Sequence, residues 1–261
     1  MYATERQHLI EQSVAVDGSV AVVDLARRFE VTTETIRRDL AQLERAGIVR
    51  RVHGGAVSQR ASSIAEPSLA DRTQRHSEAK RAIARRAVAS LGDDFTGSVY
   101  LDAGTTTAAI AGLLLDRRAS AGRPLEVVTH SMTVAHLLAG APGIALTAIG
   151  GRVRGLTAAA VGTATVRAVE GLRPDVAFVG TNGVSAVFGL STPDPEEAAV
   201  KRAVVASARR VVVAAHAEKL DQELLVSFAG LADVDTLVTD AAPPASLASA
   251  LAENDVEVWV A

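Results

Sequence analysis

One short glycine- and threonine-rich stretch combines residue types and spacing that fit ligand chemistry. Asp102, Gly104, Thr105, Thr106 and Thr107 follow an apolar run and precede a segment rich in Ala and Leu. This order predicts a strand, a short loop and the first turn of a helix, where backbone N–H groups and three hydroxyls can hold a phosphate. Ordinary helix capping by threonine is the alternative. The stretch is not a nucleotide-binding P-loop, because Gly-Lys-Ser/Thr is missing.

A second group of side chains fits contact with DNA. In a predicted helix from Thr33 to Ala46, Ile36, Leu40 and Leu43 form an apolar stripe, and the opposite face is polar. Arg can pair with guanine and Gln with adenine in the major groove, while Thr at a helix start and Arg in a hairpin suit phosphates. Each of these arginines taken alone could simply be a solvent-exposed surface residue. Their arrangement together favours DNA binding. The predicted DNA contacts are Thr33, Thr35, Arg37, Arg38, Gln42, Arg45, Arg50, Arg51 and His53.

The amino-acid composition limits the kinds of function that this protein can have. The 261 residues carry a formal net charge of −3, and residues 1–60 hold nine Arg and eight acids, 9 − 8 = +1, so a basic face must come from helical position. The absence of cysteine excludes disulfides and thiol chemistry. The six histidines lack the short spacing typical of metal ligands, so we expect no metal and no cofactor. Neither a leader segment nor a long apolar run is evident, and we expect a cytoplasmic protein.

The elements that position the DNA face form a small N-terminal module. A first helix ends at Asp17-Gly18, a second buries the apolar side chains between Val22 and Phe29, and Thr32 caps the third. Residues 48–57 alternate as a hairpin with a Gly-Gly turn. The pattern predicts a winged helix-turn-helix over residues 1–57, followed by a linker over 58–74, with charged residues from Arg72 opening a helix that runs to about Leu91.

The remainder, residues 75–261, alternates apolar strand-like runs with helical segments. This alternation predicts an α/β domain with a mainly parallel sheet, whose ligand lies at the carboxyl ends of the strands. Lys219 follows one of these runs and is therefore a candidate ligand contact. Further candidate loops follow other strands, although each also fits an ordinary turn or cap. The predicted strands are Ser98–Leu101, Leu125–Thr129, Ile144–Ile149, Asp175–Gly180, Arg210–Ala215, Asp235–Thr239 and Val256–Val260, and the loops are Thr129–Ser131, Gly150–Arg154, Gly180–Gly183 and Ser191–Arg202.

Several segments, taken in their order along the chain, resemble the DeoR family of transcriptional regulators. In the N-terminal module they are Val23–Ala26, Thr35–Leu40, Leu43-Glu44 and Arg51–Ala56. In the larger domain they are Asp102–Thr106, Val128–Ser131, Gly150-Gly151, Val161-Gly162, Asp175–Gly180, Lys201-Arg202, Lys219 and Asp235–Asp240. Together they span essentially the whole chain. Within the family, Gly180–Gly183 and Gly189–Asp194 resemble actinobacterial regulators of fructose and other sugar-phosphotransferase genes.

The resemblance implies a sensor domain similar in fold to ribose-5-phosphate isomerase and CoA transferases, with a sugar phosphate as effector. The sequence differs from the family pattern at two positions. His130 stands where the family commonly has Asn, and His216 stands three residues before Lys219, where the family commonly has an acid. A pocket-facing His216 would titrate near pH 6.5 and strengthen phosphate binding as the pH falls. The predicted effector contacts are Asp102, Gly104, Thr105, Thr106, Thr107, Thr129, His130, Ser131, Gly151, Arg152, Asn182, Lys201 and Lys219.

Three functions are compatible with these features. The first is a homo-oligomeric repressor, dimer or tetramer, of sugar-catabolic genes that binds a double-stranded operator and responds to a phosphorylated sugar, with fructose 1-phosphate as a guess. The second is a DNA-binding protein that retains isomerase activity. It would need a base, and Thr181 and Asn182 stand where acids are expected, which leaves Glu196 and Glu197. The third is an architectural protein with a ligand-free second domain.

Overall fold

The computed structural model describes residues 3–46, 48–52, 54–58, 63–64, 66–92, 94–115 and 124–261. The chain separates into two compact units, Met1–Pro67 and Ser68–Ala261. His53, a predicted DNA contact, lies outside the described residues.

Three helices and a small sheet form the first unit. The sheet has the antiparallel order β1-β3-β2, and the hairpin of β2 and β3 is the predicted wing. Apolar side chains of all three helices pack with Val49 and Ala56 of the hairpin in one core. The elements are α1 Ala3–Asp17, β1 Ser19–Ala21, α2 Val22–Phe29, α3 Thr33–Arg45, β2 Val49–Val52 and β3 Gly55–Ser58.

A tight turn joins α2 to α3 and sets the direction of the third helix. Glu30 ends α2 in the left-handed region, with φ of 53°. Thr32 then caps α3, because its hydroxyl accepts a hydrogen bond from the Thr35 N–H at 3.2 Å. The first unit is therefore a winged helix-turn-helix, as the sequence predicts.

A seven-stranded sheet with every neighbouring pair parallel forms the centre of the second unit. All seven strands predicted from the sequence are present, and their observed ends differ by one residue at most. The order along the sheet is β15-β14-β12-β9-β4-β5-β6. The strands are β4 Ser98–Leu101, β5 Leu125–Thr129, β6 Ile144–Ala148, β9 Val176–Gly180, β12 Val211–Ala214, β14 Thr236–Thr239 and β15 Glu257–Val260.

Helices cover both faces of this sheet. Phe178 of β9 packs in the core of α5, α6 and α7, whereas its neighbour Val179 packs in the core of α8, α9 and α10, because successive side chains of a strand point to opposite faces. The architecture is thus a three-layer α/β unit. Its helices are α4 Leu69–Gln74, α5 Ser77–Ala89, α6 Thr105–Leu114, α7 Met132–Leu138, α8 Thr163–Glu170, α9 Pro195–Ser207 and α10 Ala245–Glu253.

The start of the second unit differs in detail from the sequence-based expectation. The stretch 58–74, interpreted as linker, contains α4, whose N-cap Ser68 accepts a hydrogen bond from Asp71 N–H. The single helix expected from Arg72 to Leu91 is interrupted at Arg75 and His76. His76 adopts a left-handed backbone, with φ of 54°, and α5 begins after it.

Short antiparallel strands of the second unit were also not predicted from the sequence. The predicted loop Gly150–Arg154 includes β7, and Ser191–Arg202 contains the end of β11 and most of α9. Strands of three residues are too short for an alternating pattern, and the four-residue strands Gly189–Thr192 and Val226–Ala229 lack the continuous apolar run typical of the parallel strands. They are β7 Arg152–Arg154, β8 Ala159–Val161, β10 Gly183–Ser185, β11 Gly189–Thr192 and β13 Val226–Ala229. Across the described ranges, no helix has the length and apolar character needed to cross a membrane.

Candidate functional site

The exposed face of α3 carries the side chains predicted to contact DNA. Arg38 has 82% of its side chain exposed, and Glu34 is 3.7 Å away. Arg37 is 4.0 Å from the same carboxylate. Thr33, Gln42 and Arg45 are also exposed. Thr35 is half-buried, and its hydroxyl lies 2.9 Å from the Thr32 hydroxyl.

Arg50 and Arg51 lie on β2 of the wing with exposed side chains. Glu44 of α3 ties the wing to the helix: its carboxylate accepts hydrogen bonds from the Arg51 N–H at 2.9 Å and from the guanidinium at 2.5 Å. These bonds keep the pKa of Glu44 below its ordinary value. The wing and α3 are therefore held together by a charge-assisted contact beside the predicted DNA face.

A buried ion pair fixes α3 against α1, and the sequence reading did not identify it. Asp39 is almost fully buried and accepts hydrogen bonds from Arg6, at 2.5 Å, and Gln7, at 2.9 Å. Gln7 also donates to the Gln42 side chain at 2.9 Å, so this predicted base contact is oriented by α1. The pairing joins residues 33 positions apart, which no local pattern reveals.

Asp102 is the centre of the candidate sensor site, at the carboxyl end of β4. It is fully buried, and its Oδ2 accepts hydrogen bonds from Gly180 N–H at 2.8 Å and from the Lys201 ammonium. Its Oδ1 has no hydrogen-bond partner among the described residues and is 3.6 Å from His130 Nε2. Asp102 and Lys201 were both predicted, and they form one buried pair.

His130 is buried beside this pair. Its Nδ1 lies 2.8 Å from the Tyr100 hydroxyl. Burial lowers the pKa of His130 to about 4, and Lys201 acts in the same direction while the Asp102 carboxylate opposes it. The imidazole is therefore neutral near pH 7.

All three lysines of the chain lie in this neighbourhood. The Lys219 ammonium donates to Thr181 O at 2.5 Å, next in sequence to Gly180, whose carbonyl accepts from Lys201 at 2.9 Å. Lys80, which the sequence reading missed, donates to the carbonyls of residues 72 and 75. Burial lowers the pKa of Lys219 to about 7, with further lowering by Lys201, Lys80 and Arg72. The use of lysine at only three positions was the signal that could have identified Lys80.

Three of the predicted effector contacts, one in the glycine- and threonine-rich loop and two at or just after the end of β5, make hydrogen bonds within the fold. The Thr107 hydroxyl donates to Asp102 O at 2.7 Å, so the expectation of three ligand-facing hydroxyls is wrong for this residue. Thr129 donates to Leu101 O and accepts from Ser131 N–H, while Ser131 caps α7.

The start of α6 keeps the features of an anion site. Gly104, its N-cap, supplies no side-chain hydrogen bond and is partly exposed. Within the described part of the chain, the hydroxyls of Thr105 and Thr106 have no recorded partner. The N–H groups of the first turn point along the helix axis and favour negative charge.

The other predicted contacts lie on the short antiparallel strands and their turns. Gly151 is required by space, because an added Cβ would lie 2.0 Å from the Thr165 hydroxyl oxygen. Arg152 is exposed and paired with Glu196. Asn182 accepts a hydrogen bond from the Thr192 hydroxyl at 3.1 Å.

The two carboxylates considered as isomerase bases are both engaged. Glu197 is buried, and its Oε1 accepts hydrogen bonds from Arg154 at 3.1 Å and from the Thr157 hydroxyl. Glu196 pairs with Arg152. A carboxylate paired with Arg is a weaker base, because the cation stabilises its charged form.

His216 lies beside the turn that precedes α5. Its ring stacks on His76, with 4.6 Å between ring centroids, and His76 Nε2 is 3.0 Å from Glu218 Oε2. Burial and the neighbouring Lys219, His76 and Lys80 keep the pKa of His216 well below its usual 6.5. The expectation that this residue titrates near pH 6.5 is therefore wrong.

A helix-turn-helix with a wing, followed by an α/β unit with buried cations at its strand ends, defines the class of DNA-binding regulators that carry a sensor domain. Residues 6–61 match the DeoR-like helix-turn-helix domain, and residues 75–241 match the DeoR C terminal sensor domain. The chain belongs to the DeoR family of transcriptional regulators.

Individual relatives align over nearly the full length. The regulator FruR of Bacillus subtilis is 33% identical over 92% of both chains. The glycerol-3-phosphate regulon repressor of Escherichia coli is 30% identical over 99% of both, and the regulator GlpR of Haloferax volcanii is 35% identical over 92% of this chain and 91% of its own. Ribose 5-phosphate isomerase A of Methanocaldococcus jannaschii is 19% identical with a TM-score of 0.40, covering 55% of this chain and 54% of its own.

Proposed function

We propose that this protein represses genes of sugar catabolism or sugar-phosphotransferase uptake, and that a phosphorylated sugar releases it from its operator. The observation that carries the proposal is the gathering of Lys80, Lys201 and Lys219 at the strand ends, in the same unit as the uncapped start of α6. Asp102 is buried with them, whereas the buried Glu197 is paired with Arg154. Buried ammonium groups that exceed the buried carboxylates favour an anionic ligand.

The DNA step is assigned to α3 and the wing. Arg38 and Gln42 would read base edges in the major groove, while Thr33, Arg50 and Arg51 would hold phosphates. Reading two half-sites requires two copies of α3, so the regulator would act as a dimer or tetramer. It would do so in the cytoplasm. Footprinting on DNA upstream of neighbouring sugar genes should show two protected half-sites, and a single protected half-site would contradict the oligomeric proposal.

The effector step is assigned to the strand ends of the second unit. A sugar phosphate would place its phosphate at the first turn of α6 and near the lysines. Its hydroxyls would come within reach of Asp102 Oδ1, which has no hydrogen-bond partner among the described residues. Fructose 1-phosphate is the first effector to test. The support for this class comes from relatives that include a repressor of a glycerol-3-phosphate regulon and a regulator named FruR.

Because the chain has only three lysines, selective labelling tests the effector site directly. Lysine labelled with ¹³C and ¹⁵N at the ε position gives three side-chain signals. We expect a phosphorylated sugar, and not its unphosphorylated parent, to shift at least the signals of Lys201 and Lys219. If no member of a panel of hexose, pentose and triose phosphates moves any lysine signal, the proposed effector site is wrong.

Substitution separates the site from its surroundings. Lys219→Gln should weaken effector binding at least tenfold, because one cation is lost from a partly buried anion site. Arg202→Gln is the matched control: Arg202 is on α9 next to Lys201, but its guanidinium donates to Ser227 O at 2.8 Å. Equal losses of affinity in the two variants would indicate a general loss of positive charge instead of a site.

A further inference from the structure

His76, His216 and Glu218 form a cluster in the second unit that the proposed function does not use. One ligand atom from each residue lies within 4.8 Å of the others. His76 comes from the turn between α4 and α5, whereas His216 and Glu218 come from the 3-10 turn after β12. His76 and His216 are 140 positions apart, so no short histidine spacing in the sequence indicates this group.

One atom of the cluster has no role within the fold. His216 is nine-tenths buried, and its Nδ1 has no hydrogen-bond partner in the part of the chain that the structure describes. A buried imidazole nitrogen normally has a partner, because its loss of hydration is otherwise uncompensated. Beside it, His76 adopts a left-handed backbone that residues other than glycine rarely take. The turn thus holds one histidine against the other.

From this geometry we propose that His76, His216 and Glu218 bind one divalent ion of the zinc type. Two imidazole nitrogens and one carboxylate oxygen are ligands that Zn²⁺ takes at about 2.0–2.2 Å, with a fourth position for water or an anionic ligand. Tetrahedral ligands at that distance are about 3.3 Å apart. The widest separation, at most 4.8 Å, therefore closes by up to about 1.5 Å when the ion binds, whereas His76 Nε2 and Glu218 Oε2, 3.0 Å apart, separate slightly.

Closure has a definite structural route. The two rings are stacked with 23° between their planes, and imidazole lone pairs lie in the ring plane, so one ring must turn for both to reach the same ion. His76 is the ring that turns, because 31% of its side chain is exposed while His216 is buried. Binding then replaces the contact between His76 and Glu218 with two bonds to the metal.

The positive charges near the cluster oppose a cation and make the Glu218 carboxylate essential to the site. Lys80 and Lys219 are the neighbouring ammonium groups, and both direct protons to backbone carbonyls, of residues 72 and 75 and of Thr181 respectively. Glu218 supplies the negative charge of the site. Its carboxylate pairs with His76, so binding the ion does not break a salt bridge to a lysine.

The test uses the untagged full chain in phosphate-free buffer with Zn²⁺ alone as the probe. Equilibrium dialysis should give one ion per chain, and Zn²⁺ should raise the midpoint of thermal unfolding. His76→Asn and Glu218→Gln should each weaken binding at least tenfold and abolish the thermal shift. Asn tolerates the left-handed backbone at position 76, so this variant retains the fold.

His136→Asn is the matched control, since His136 is an exposed histidine of α7 outside the cluster. This variant should bind Zn²⁺ as the wild type does. Uptake by the wild type no greater than that of His76→Asn, or an equal loss in His136→Asn, would overturn the proposal. Long-range ¹H–¹⁵N spectra of the imidazoles provide a second readout, in which only the His76 and His216 signals should change with Zn²⁺.

Discussion

Arg38 and Arg51 are both exposed arginines of the first unit, but their surroundings predict different roles. Arg38 projects from α3 with a distant contact to Glu34, whereas Arg51 is held by Glu44 on the wing. We predict that Arg38→Ala costs about 1–3 kcal/mol of operator affinity and relaxes selectivity at one base pair, while Arg51→Ala weakens all sequences and flattens the salt dependence.

Competition binding with single-base operator variants at several salt concentrations measures this difference. Arg27→Ala is the control, because Arg27 is equally exposed but lies on α2 next to Asp24. An Arg38→Ala variant that keeps the affinity and selectivity of the wild type would show that α3 does not read bases through this residue.

We predict that His130 makes the stability of the second unit depend on pH. Its pKa is near 6.5 when the chain is unfolded and about 4 when folded, so the unfolded state binds the proton more readily. Stability is therefore fully present above pH 6.5 and is lost as the pH falls from 6.5 towards 4, by on the order of 3 kcal/mol. Denaturation followed by the fluorescence of Trp259, the only tryptophan, measures the second unit.

The matched variant for this prediction is His130→Asn, which keeps a polar side chain near the Tyr100 hydroxyl but does not titrate. We expect its stability to vary less between pH 6.5 and 4.5 than that of the wild type. Parallel pH profiles for the two proteins would refute the assignment of the effect to His130.

The Lys201 and Asp102 pair tests the buried electrostatics of the same site. Lys201→Met leaves the Asp102 carboxylate fully buried without its cation, which should destabilise the second unit by about 3–5 kcal/mol. Adding Asp102→Leu should recover much of the loss, since the uncompensated charge is then removed. If Lys201→Met alone costs less than about 1 kcal/mol by the Trp259 signal, the pair is not the buried contact described above.

At the scale of elements, the turn before β7 depends on close packing against α8. An added Cβ at Gly151 would lie 2.0 Å from the Thr165 hydroxyl oxygen and 3.0 Å from Val161 O. We predict that Gly151→Ala destabilises the second unit by about 1–3 kcal/mol. Gly155→Ala, at a position with open space around it, should change stability by less than about 0.5 kcal/mol. Equal denaturation midpoints for the two variants would contradict the prediction that close packing at Gly151 excludes a side chain.

Elements with a sustained pattern were predictable from the sequence. The seven apolar runs of the parallel sheet and the 3.6-residue stripe of α3 both repeat over enough residues to be recognised. The two-strand pair β7 and β8 was not predicted, because three residues carry no period. Contacts between remote positions were also hidden: Arg6 with Asp39, and His76 with His216, meet only when separate elements pack.

In the candidate sites, too, features carried by a local sequence pattern were predictable and contacts between remote residues were not. Asp102 was predictable because a strand, a glycine and a helix start are adjacent in sequence. The burial of Lys80 and the inward hydroxyl of Thr107 were not, since both depend on the turn after α4 and on the packing of α6. The residue types in the sequence indicate which loops lie at the strand ends. The direction in which each side chain points is known only from the folded structure.

At the scale of the whole molecule, regulation by an effector requires that the two units influence each other. The first unit presents an α3 face suited to DNA, and the second gathers the lysines of the chain at its strand ends. A regulator works only if the ligand of one unit changes the affinity of the other, which is a coupling free energy of roughly 1–3 kcal/mol in typical allosteric proteins. That value corresponds to a change of about 5- to 150-fold in operator affinity.

The most direct test is a fluorescence-anisotropy titration of labelled operator DNA with the full chain, with and without each member of a panel of sugar phosphates and their parent sugars. We predict that one phosphorylated sugar weakens operator binding at least fivefold, that its parent sugar has no effect, and that Lys219→Gln binds the operator normally but does not respond. An operator isotherm that no sugar phosphate moves, or that the free sugars move equally, would contradict the account.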